Sequence, residues 1–280
     1  MNGFEKNRLL GMLERKTVPL GMQCFAADAA LIEVLGLTGF DFVMLDSEHS
    51  GANPRAIQDL IRTAEQAGLI PLVRVPDRRN ATDMRRALEA GAQGLFIPMV
   101  RSAEDMQFAI SATFFPPDGD RGICPSIRAA NYSFRSFEEY AAWNNAQTLL
   151  IPLIEHPQAI DNIEEICALP QVRMLAFGAG DLCYAMGLGT QMMKAPEVQA
   201  AYRKVLAAAQ RHNVAVIGGP ILDPTPEACR KALDEGVRVF CLGLDILGFR
   251  RFCEQTVRAL NLGMEGSGYS RPEAPVSGFR

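Results

Sequence analysis

A chain of 280 residues, 48% hydrophobic and 21% charged, has the composition of a folded globular protein, which excludes wholesale disorder and allows a sizeable core without disulfides or structural metal. Its net charge of −4, with Lys and Arg scattered rather than clustered, leaves no electrostatic footprint for nucleic acid. No apolar run approaches the ~20 residues needed to span a bilayer, so no membrane partner is expected.

The seven cysteines, Cys24, Cys124, Cys167, Cys183, Cys229, Cys241 and Cys253, are odd in number and contain no C-x-x-C pair. That pattern argues against a disulfide framework or a zinc site. The opening MNGFEKNRLLGMLERK mixes charges into its apolar positions, unlike the unbroken apolar centre of a signal peptide. Both features set a reducing, cytoplasmic location as the expectation.

From the N-terminus onward, short apolar runs alternate with longer stretches of helical period. The first run covers 19–24. The second, 40–46, ends in Asp46-Ser47-Glu48-His49 and is followed by a helix over 56–67 with Ile57, Leu60, Ile61 and Ala64 on one face. The third run, 70–75, carries Arg74 at its end. A helix over 84–90 then leads to Gly91 as C-cap. After the fourth run, 94–100, Ser102 is placed to cap a helix, with Asp105 three residues on in a loose capping box.

The stretch 114–147 is the longest interruption and opens with the turn-rich PPDGDRG that contains Arg121. Phe134, Phe137, Tyr140 and Trp143 within it read as helix-packing residues. The fifth run, 149–155, ends in Glu155-His156, and the sixth, 174–178, leads into Gly178-Ala179-Gly180-Asp181. Met192 and Met193 follow, placed to line an apolar pocket or to pack in the core. A helix over 196–211 starts at a proline, where the missing N–H costs nothing, and His212 stands at its dipole end. The seventh run is 214–220, a helix over 226–235 ends at Gly236, and the eighth run is 237–245.

Eight strand–helix alternations in a chain of this size point to an α/β fold, a single-domain (β/α)8 TIM barrel over 1–261. Near-continuous apolar runs suit parallel strands buried on both faces. The alternative, a doubly wound open sheet, usually has fewer strands and a Gly-rich phosphate turn, and neither G-x-G-x-x-G nor a P-loop occurs. Residues 262–280, rich in Gly, Pro and Ser, read as a flexible tail or as an arm laid on a neighbouring subunit.

In such a barrel the chemistry sits at the C-terminal ends of the strands. Asp46, Arg74, Glu155 and Asp181 stand there on four different strands, a placement that is costly unless the charges are paired or hold a metal. Glu155 and Asp181 are either two solvated loop acids or a pair of oxygen ligands for a hard divalent cation. His49, one of three histidines, is either an ordinary loop residue or a base whose imidazole Asp46 orients. Arg74 in a barrel mouth needs an anion, from the protein or from a substrate. Arg121 is either a surface-turn residue or a second anion site, and His156, next to Glu155, reads as a rim residue.

Taken together, Asp46-x-Glu48-His49 after FDFVML, PLVRV with Arg74, LEAGAQGLFIPMV, FPPDGDRG with Arg121, Ile154-Glu155 and FGAGDL with Asp181 resemble the HpcH/HpaI aldolase/citrate lyase family, in the same order and over about residues 12–260. The resemblance implies a (β/α)8 barrel that assembles as a homo-oligomer, a hexamer built from dimers that exchange a C-terminal helix. It implies Glu155 and Asp181 as ligands of a divalent metal (Mg2+, Mn2+ or Co2+), Asp46 and His49 as the acid–base pair, and Arg74 as the enolate- and carbonyl-binding cation. Arg121 and Gly180 fall at its substrate-binding positions.

Two positions depart from the family pattern. Leu153 stands where an amide commonly helps hold pyruvate, and Ala179-Gly180 replaces the usual residues before the metal Asp. The implied activity is a metal-dependent carbon–carbon lyase, an aldolase acting on a small-molecule 2-oxo acid through a metal-bound enolate. Reversible cleavage of a 4-hydroxy-2-oxo acid to pyruvate and an aldehyde is the example. Two alternatives stand beside it: a decarboxylase or carbon–carbon bond-forming synthase that uses an oxaloacetate-type enolate with a non-aldehyde acceptor, and a non-catalytic barrel. No lysine stands at a matching strand end, which argues against a Schiff-base route.

Overall fold

The structure is a computed structural model that describes residues 4–218 and 224–272. Eight parallel strands close into one barrel in sequence order. They are β1 (Leu20–Cys24), β2 (Phe42–Asp46), β3 (Ile70–Arg74), β4 (Gly94–Ile97), β5 (Leu149–Ile154), β6 (Met174–Phe177), β7 (Ala215–Gly218) and β8 (Val237–Leu244). The helices are α1 (Arg8–Glu14), α2 (Ala29–Leu37), α3 (Pro54–Gln66), α4 (Ala81–Ala90), α5 (Ala103–Thr113), α6 (Phe137–Gln147), α7 (Pro157–Asp161), α8 (Ile163–Cys167), α9 (Ala179–Ala185), α10 (Pro196–Arg211), α11 (Pro226–Glu235) and α12 (Asp245–Met264). Among the described residues no helix is long and apolar enough to cross a membrane.

The apolar runs are explained by two cores that share the same strands. Phe42, Met44, Ile70, Leu72, Phe96, Ile151 and Leu153 fill the barrel interior. Their neighbours Val43, Leu45, Val73, Leu95, Leu150 and Ile154 face the helices instead. Both alternating sets are therefore apolar, and the strand signal is a continuous run rather than an alternation. Leu9 and Leu10 of α1 belong to the interior core and close one end of the barrel. Asn7 fixes that plug, with its Nδ2 donating to the carbonyls of Gln93 (3.3 Å) and Gln147 (3.2 Å). The sequence analysis assigned no element to α1.

Several helix ends lie where the sequence puts them. Gly91 and Gly236 take left-handed C-cap conformations with φ of 114° and 107°. Ser102 Oγ caps α5 by accepting the Asp105 N–H at 3.4 Å. The Asp105 carboxylate does not complete a capping box, because it accepts the Arg101 N–H and pairs with Arg78 and Arg79. In the long interruption Phe137, Tyr140 and Trp143 form an aromatic cluster with Phe4 and Phe115, but Phe134 is 91% exposed and packs nothing. Met192 and Met193 are exposed and belong to no core.

Strand β4 ends at Ile97, three residues short of the apolar run, because Met99 turns to φ 51°. The end of the seventh run, Gly219 and Pro220, lies outside the described residues. The last helix passes the expected boundary at 261, so Leu262, Gly263 and Met264 belong to α12 rather than to a tail. The final part of that tail, 273–280, lies outside the described residues.

Candidate active site

Alternation along each strand decides which polar residues meet. Asp46 has the parity of the interior residues Phe42 and Met44, Arg74 that of Ile70 and Leu72, and Glu155 that of Ile151 and Leu153. All three therefore turn inward at the C-terminal mouth of the barrel. Asp46 and Arg74 are also register partners of the β2–β3 pair. The Arg74 Nε donates to Asp46 Oδ1 at 2.6 Å, and both residues are buried. The Asp46 carboxylate, 1% exposed, does more than neutralise the guanidinium. It accepts the N–H of Glu48 at 3.2 Å and that of His49 at 2.8 Å, which folds the 46–50 turn over the mouth. Ser47 Oγ ties the same turn to the Arg74 carbonyl at 2.6 Å.

Arg74 is held on three sides. Besides Asp46, its Nη1 lies 3.3 Å from Glu48 Oε2, and its Cζ lies 5.2 Å from the centroid of the Phe25 ring. The loop that carries Phe25 is clamped in turn, with Asp245 accepting the N–H of Phe25 at 3.0 Å and that of Ala26 at 2.9 Å. The remaining nitrogen, Arg74 Nη2, is buried with no hydrogen-bond partner. A fixed, charged donor with one free N–H group in a concave mouth is an anion receptor.

Glu155 stands beyond the end of β5. Its Oε1 accepts the Met99 N–H at 2.7 Å, and Met99 adopts its left-handed φ of 51° to present that group. Gly178 packs so closely that a Cβ there would come within 2.6 Å of both Glu155 Cβ and Oε2. Only a glycine lets the carboxylate occupy this place. Gly178→Ala is expected to cost about 1–3 kcal/mol through overpacking and to swing Glu155 out of position. Thermal unfolding checks it, and an unchanged Tm with unchanged activity would show that the carboxylate has room to move.

Burial pushes the Glu155 carboxyl up to about 7; the Met99 N–H opposes this, and the neighbouring charges of Asp181 and Glu48 add to it. Glu48 is likewise pushed up to about 7 by burial, against Arg74 and with Asp46, Asp181 and Asp77 adding. Asp46 and Glu48 pair with Arg74, and Glu155 and Asp181 add negative charge beside them, so carboxylates outnumber the guanidinium they share. Glu155 and Asp181, the latter exposed in the first turn of α9, are the oxygen donors the sequence singles out. Among the described residues no group of three or more His, Cys, Asp or Glu is arranged to hold a metal. A cation at this pair would take its other positions from water and substrate, as hard divalent ions commonly do. The donor chemistry and the charge deficit fit such an ion.

Two of the expected residues sit differently from the arrangement the resemblance implies. Asp46 meets His49 at its main-chain N–H, and its oxygens are otherwise engaged with Arg74 and Glu48, so it shapes the turn rather than the ring. The His49 imidazole is 58% exposed, with Nε2 3.6 Å from Glu48 Oε2, too long for a hydrogen bond. Arg121 is not brought to the mouth. It is buried in the packing of its own loop, where its Nη1 donates to Asn144 at 2.9 Å, its Nη2 to Tyr140 at 3.2 Å, and its Cζ stacks 4.7 Å from the Phe115 ring. It is not a surface-turn residue: two aromatic faces, an amide and a phenol hold the buried guanidinium, and its Nε has no hydrogen-bond partner.

Leu153 lies in the interior core two residues before Glu155, so it forms part of the floor. Gly180 is exposed at the start of α9, with open space where a side chain would stand. His156 is half-buried and accepts the Gln158 N–H on its Nδ1 at 3.2 Å, a cap for α7. His212 closes α10 and pairs with Glu164 at 2.9 Å. Glu48 as a third wall of the Arg74 site, the Met99 N–H and the Asp245 clamp are functional features not anticipated from the sequence. Only Glu48 left a signal, lying between two residues already singled out.

The family model described as HpcH/HpaI aldolase/citrate lyase matches residues 20–251. The chain is 29% identical over 271 residues to the 2-dehydro-3,6-dideoxy-6-sulfogluconate aldolase of Pseudomonas putida, covering 96% of this chain and 100% of that one. It is 31% identical over 252 residues to the 5-keto-4-deoxy-D-glucarate aldolase of Klebsiella pneumoniae, covering 89% and 94%. Among solved structures, an HpcH/HpaI aldolase/citrate lyase family protein from Burkholderia cenocepacia superposes with a TM-score of 0.83 at 30% identity, covering 91% of this chain and 99% of that one.

Proposed function

The chain belongs to the HpcH/HpaI aldolase/citrate lyase family and is a carbon–carbon lyase, and on that premise we propose that it is a metal-dependent aldolase that reversibly cleaves a 4-hydroxy-2-oxo acid to pyruvate and an aldehyde. The observation that carries this reading is the buried, unpartnered Arg74 Nη2 in a mouth walled by carboxylates. A substrate that is itself an anion and that develops a further oxyanion satisfies that donor. Two relatives bear the names of aldolases acting on a sulfogluconate and a glucarate derivative, which supports the class.

Glu155 and Asp181 would hold a divalent cation, Mg2+, Mn2+ or Co2+, which when bound supplies Lewis-acid polarisation of the 2-oxo group. The protein's own groups do the rest. His49, exposed at the rim, accepts the proton of the C4 hydroxyl through a water. The C3–C4 bond breaks, its electron pair passes to C3, and an aldehyde forms at C4. Arg74 Nη2 donates to the enolate oxygen, a contact of a kind worth about 3–4 kcal/mol. Protonation at C3 then gives pyruvate. Asp46 keeps Arg74 in place and holds the turn from which His49 projects.

The test needs no guess at the aldehyde. Protein incubated with pyruvate in D2O and Mg2+ or Mn2+ should exchange the methyl protons of pyruvate, read by loss of the proton NMR signal, and chelation should stop it. Loss of oxaloacetate carboxylate without pyruvate exchange would move the assignment to a decarboxylase. No reaction with either compound would overturn the reading.

Among the described residues one apolar face of α12 is uncovered, and the reading includes a homo-oligomer. Asp245 is the only buried residue of α12. Ile246, Phe249 (66% exposed), Phe252, Val257 and Leu260 line one face of it, and Val34 and Leu37 of α2 are uncovered as well. A second copy that exchanges α12 would bury these faces together. Light scattering should give more than one copy per particle, and Phe249→Glu with Phe252→Glu should dissociate it. A wild-type monomer would refute the exchange.

A further inference from the structure

The interior core beneath the charged groups is apolar, and β1 brings a polar side chain to its upper edge. Gly21 of β1 faces inward, since a Cβ there would come within 2.3 Å of the Phe42 ring, and Phe42 belongs to the interior core. Met22 and Cys24 pack on the opposite side, in the layer under the helices. Alternation therefore turns Gln23 inward. The β1–β2 pairing is regular from Gly21 to Cys24, with Gln23 beside the interior Met44; on the other edge the register shifts between Gly21 and Gln23, but the extra residue lies in β8, so the alternation along β1 is kept. The Gln23 side chain makes no hydrogen bond to the described residues.

The pairing register gives its height. In an eight-stranded barrel of this shear, the residue at constant height advances by about one per strand. From Gln23 the paired positions are Met44, Leu72, Gly94 and Leu149. Two strands on, the same height is Arg74; four strands on, it is Leu153. Gln23, Arg74 and Leu153 thus occupy one layer built from alternate strands. Gln23 and Leu153 stand on opposite walls, and Arg74 stands between them.

Gln23 is half-buried at the height of Arg74 and has no partner for its amide among the described residues, so a ligand that enters the mouth can supply one. Leu153 offers neither donor nor acceptor to a polar ligand in this layer. We infer that Gln23 is a substrate-binding residue whose Nε2–H donates to the carboxylate of the 2-oxo acid, while Arg74 Nη2 receives the enolate oxygen. The inference deepens the aldolase reading and rests on it. It means that the neutral donor of the site comes from β1, across the barrel from the strand that carries Glu155.

The test uses binding as well as turnover. Oxalate, a stable planar mimic of the pyruvate enolate, is titrated calorimetrically into wild-type protein with Mg2+, and the KM for pyruvate is taken from proton exchange. Gln23→Leu, which fits an apolar layer, should weaken oxalate and raise the KM roughly 10–100-fold, the range for a hydrogen bond to a charged group. The double variant Gln23→Leu with Leu153→Gln, which returns an amide to the opposite wall, should recover most of that loss. Unchanged oxalate affinity and KM in Gln23→Leu, with a normal melting curve, would overturn the inference. So would Gln23→Leu weakened but not recovered in a folded double variant, since that marks a packing effect. If wild type binds oxalate but does not exchange pyruvate, the aldolase reading falls, and the oxalate affinities alone decide the role of Gln23. If wild type binds no oxalate, both fall.

Discussion

His49→Ala is expected to lower turnover roughly 10²–10⁴-fold, the range for loss of a general acid–base group, and to leave the melting temperature unchanged. The separation of the two effects comes from the geometry. The ring is 58% exposed and makes no bond closer than 3.6 Å to Glu48, so its removal opens no cavity. The main-chain N–H that Asp46 accepts remains in an alanine, so the turn keeps its shape. Proton exchange of pyruvate and thermal unfolding, measured on the same preparation, check both halves. A folded variant at the wild-type rate would remove His49 from the chemistry and leave proton transfer to Glu48, the nearest other titratable group of the turn.

Arg74 is predicted to separate differently. Arg74→Ala strands Asp46, 1% exposed, as an uncompensated buried charge, a defect that typically costs 3–5 kcal/mol. Loss of activity in that variant would therefore say little. Arg74→Lys keeps the charge beside Asp46 but gives up the planar fork that reaches Asp46 and Glu48 while leaving Nη2 free. Turnover should fall about 10²–10³-fold, the size of a lost oxyanion donor, with a far smaller loss of stability than in the alanine variant. Steady-state kinetics and melting curves of the pair check it. A lysine variant at the wild-type rate would show that charge alone suffices and that the free Nη2 is not the donor.

The architecture was legible in the chain because local physics carries it. Strands covered on both faces need apolar residues at both parities, and the runs that begin at Ile70 and Leu149 declare this without any tertiary knowledge. Ser102, Gly91 and Gly236 act within a few residues of themselves, so the helix ends they set could be read directly. The same holds for the rim. Once the fold is a barrel, Asp46, Arg74 and Glu155, each following an inward-facing residue by two, must turn into its mouth.

Partnership was not legible, because it depends on which strands stand side by side. The sequence places Asp46 three residues before His49, and that spacing suggested a bond to the ring. The register sets Asp46 beside Arg74, and its oxygens were taken by that guanidinium and by two main-chain N–H groups. Arg121 had the motif of an anion site, yet its side chain found Phe115 of its own loop together with Tyr140 and Asn144, which are distant in sequence and close only after α6 docks. Nothing in the sequence sets Gly178 apart from other glycines, and only the fold brings Glu155 within 2.6 Å of where its Cβ would be. Gln23 carried no signal at all in a run of apolar residues. Its place in a layer with Arg74 and Leu153 is a property of the closed barrel. The sequence alone determined which residues are buried and at which parity they face; the shear and closure of the sheet decided which of them meet.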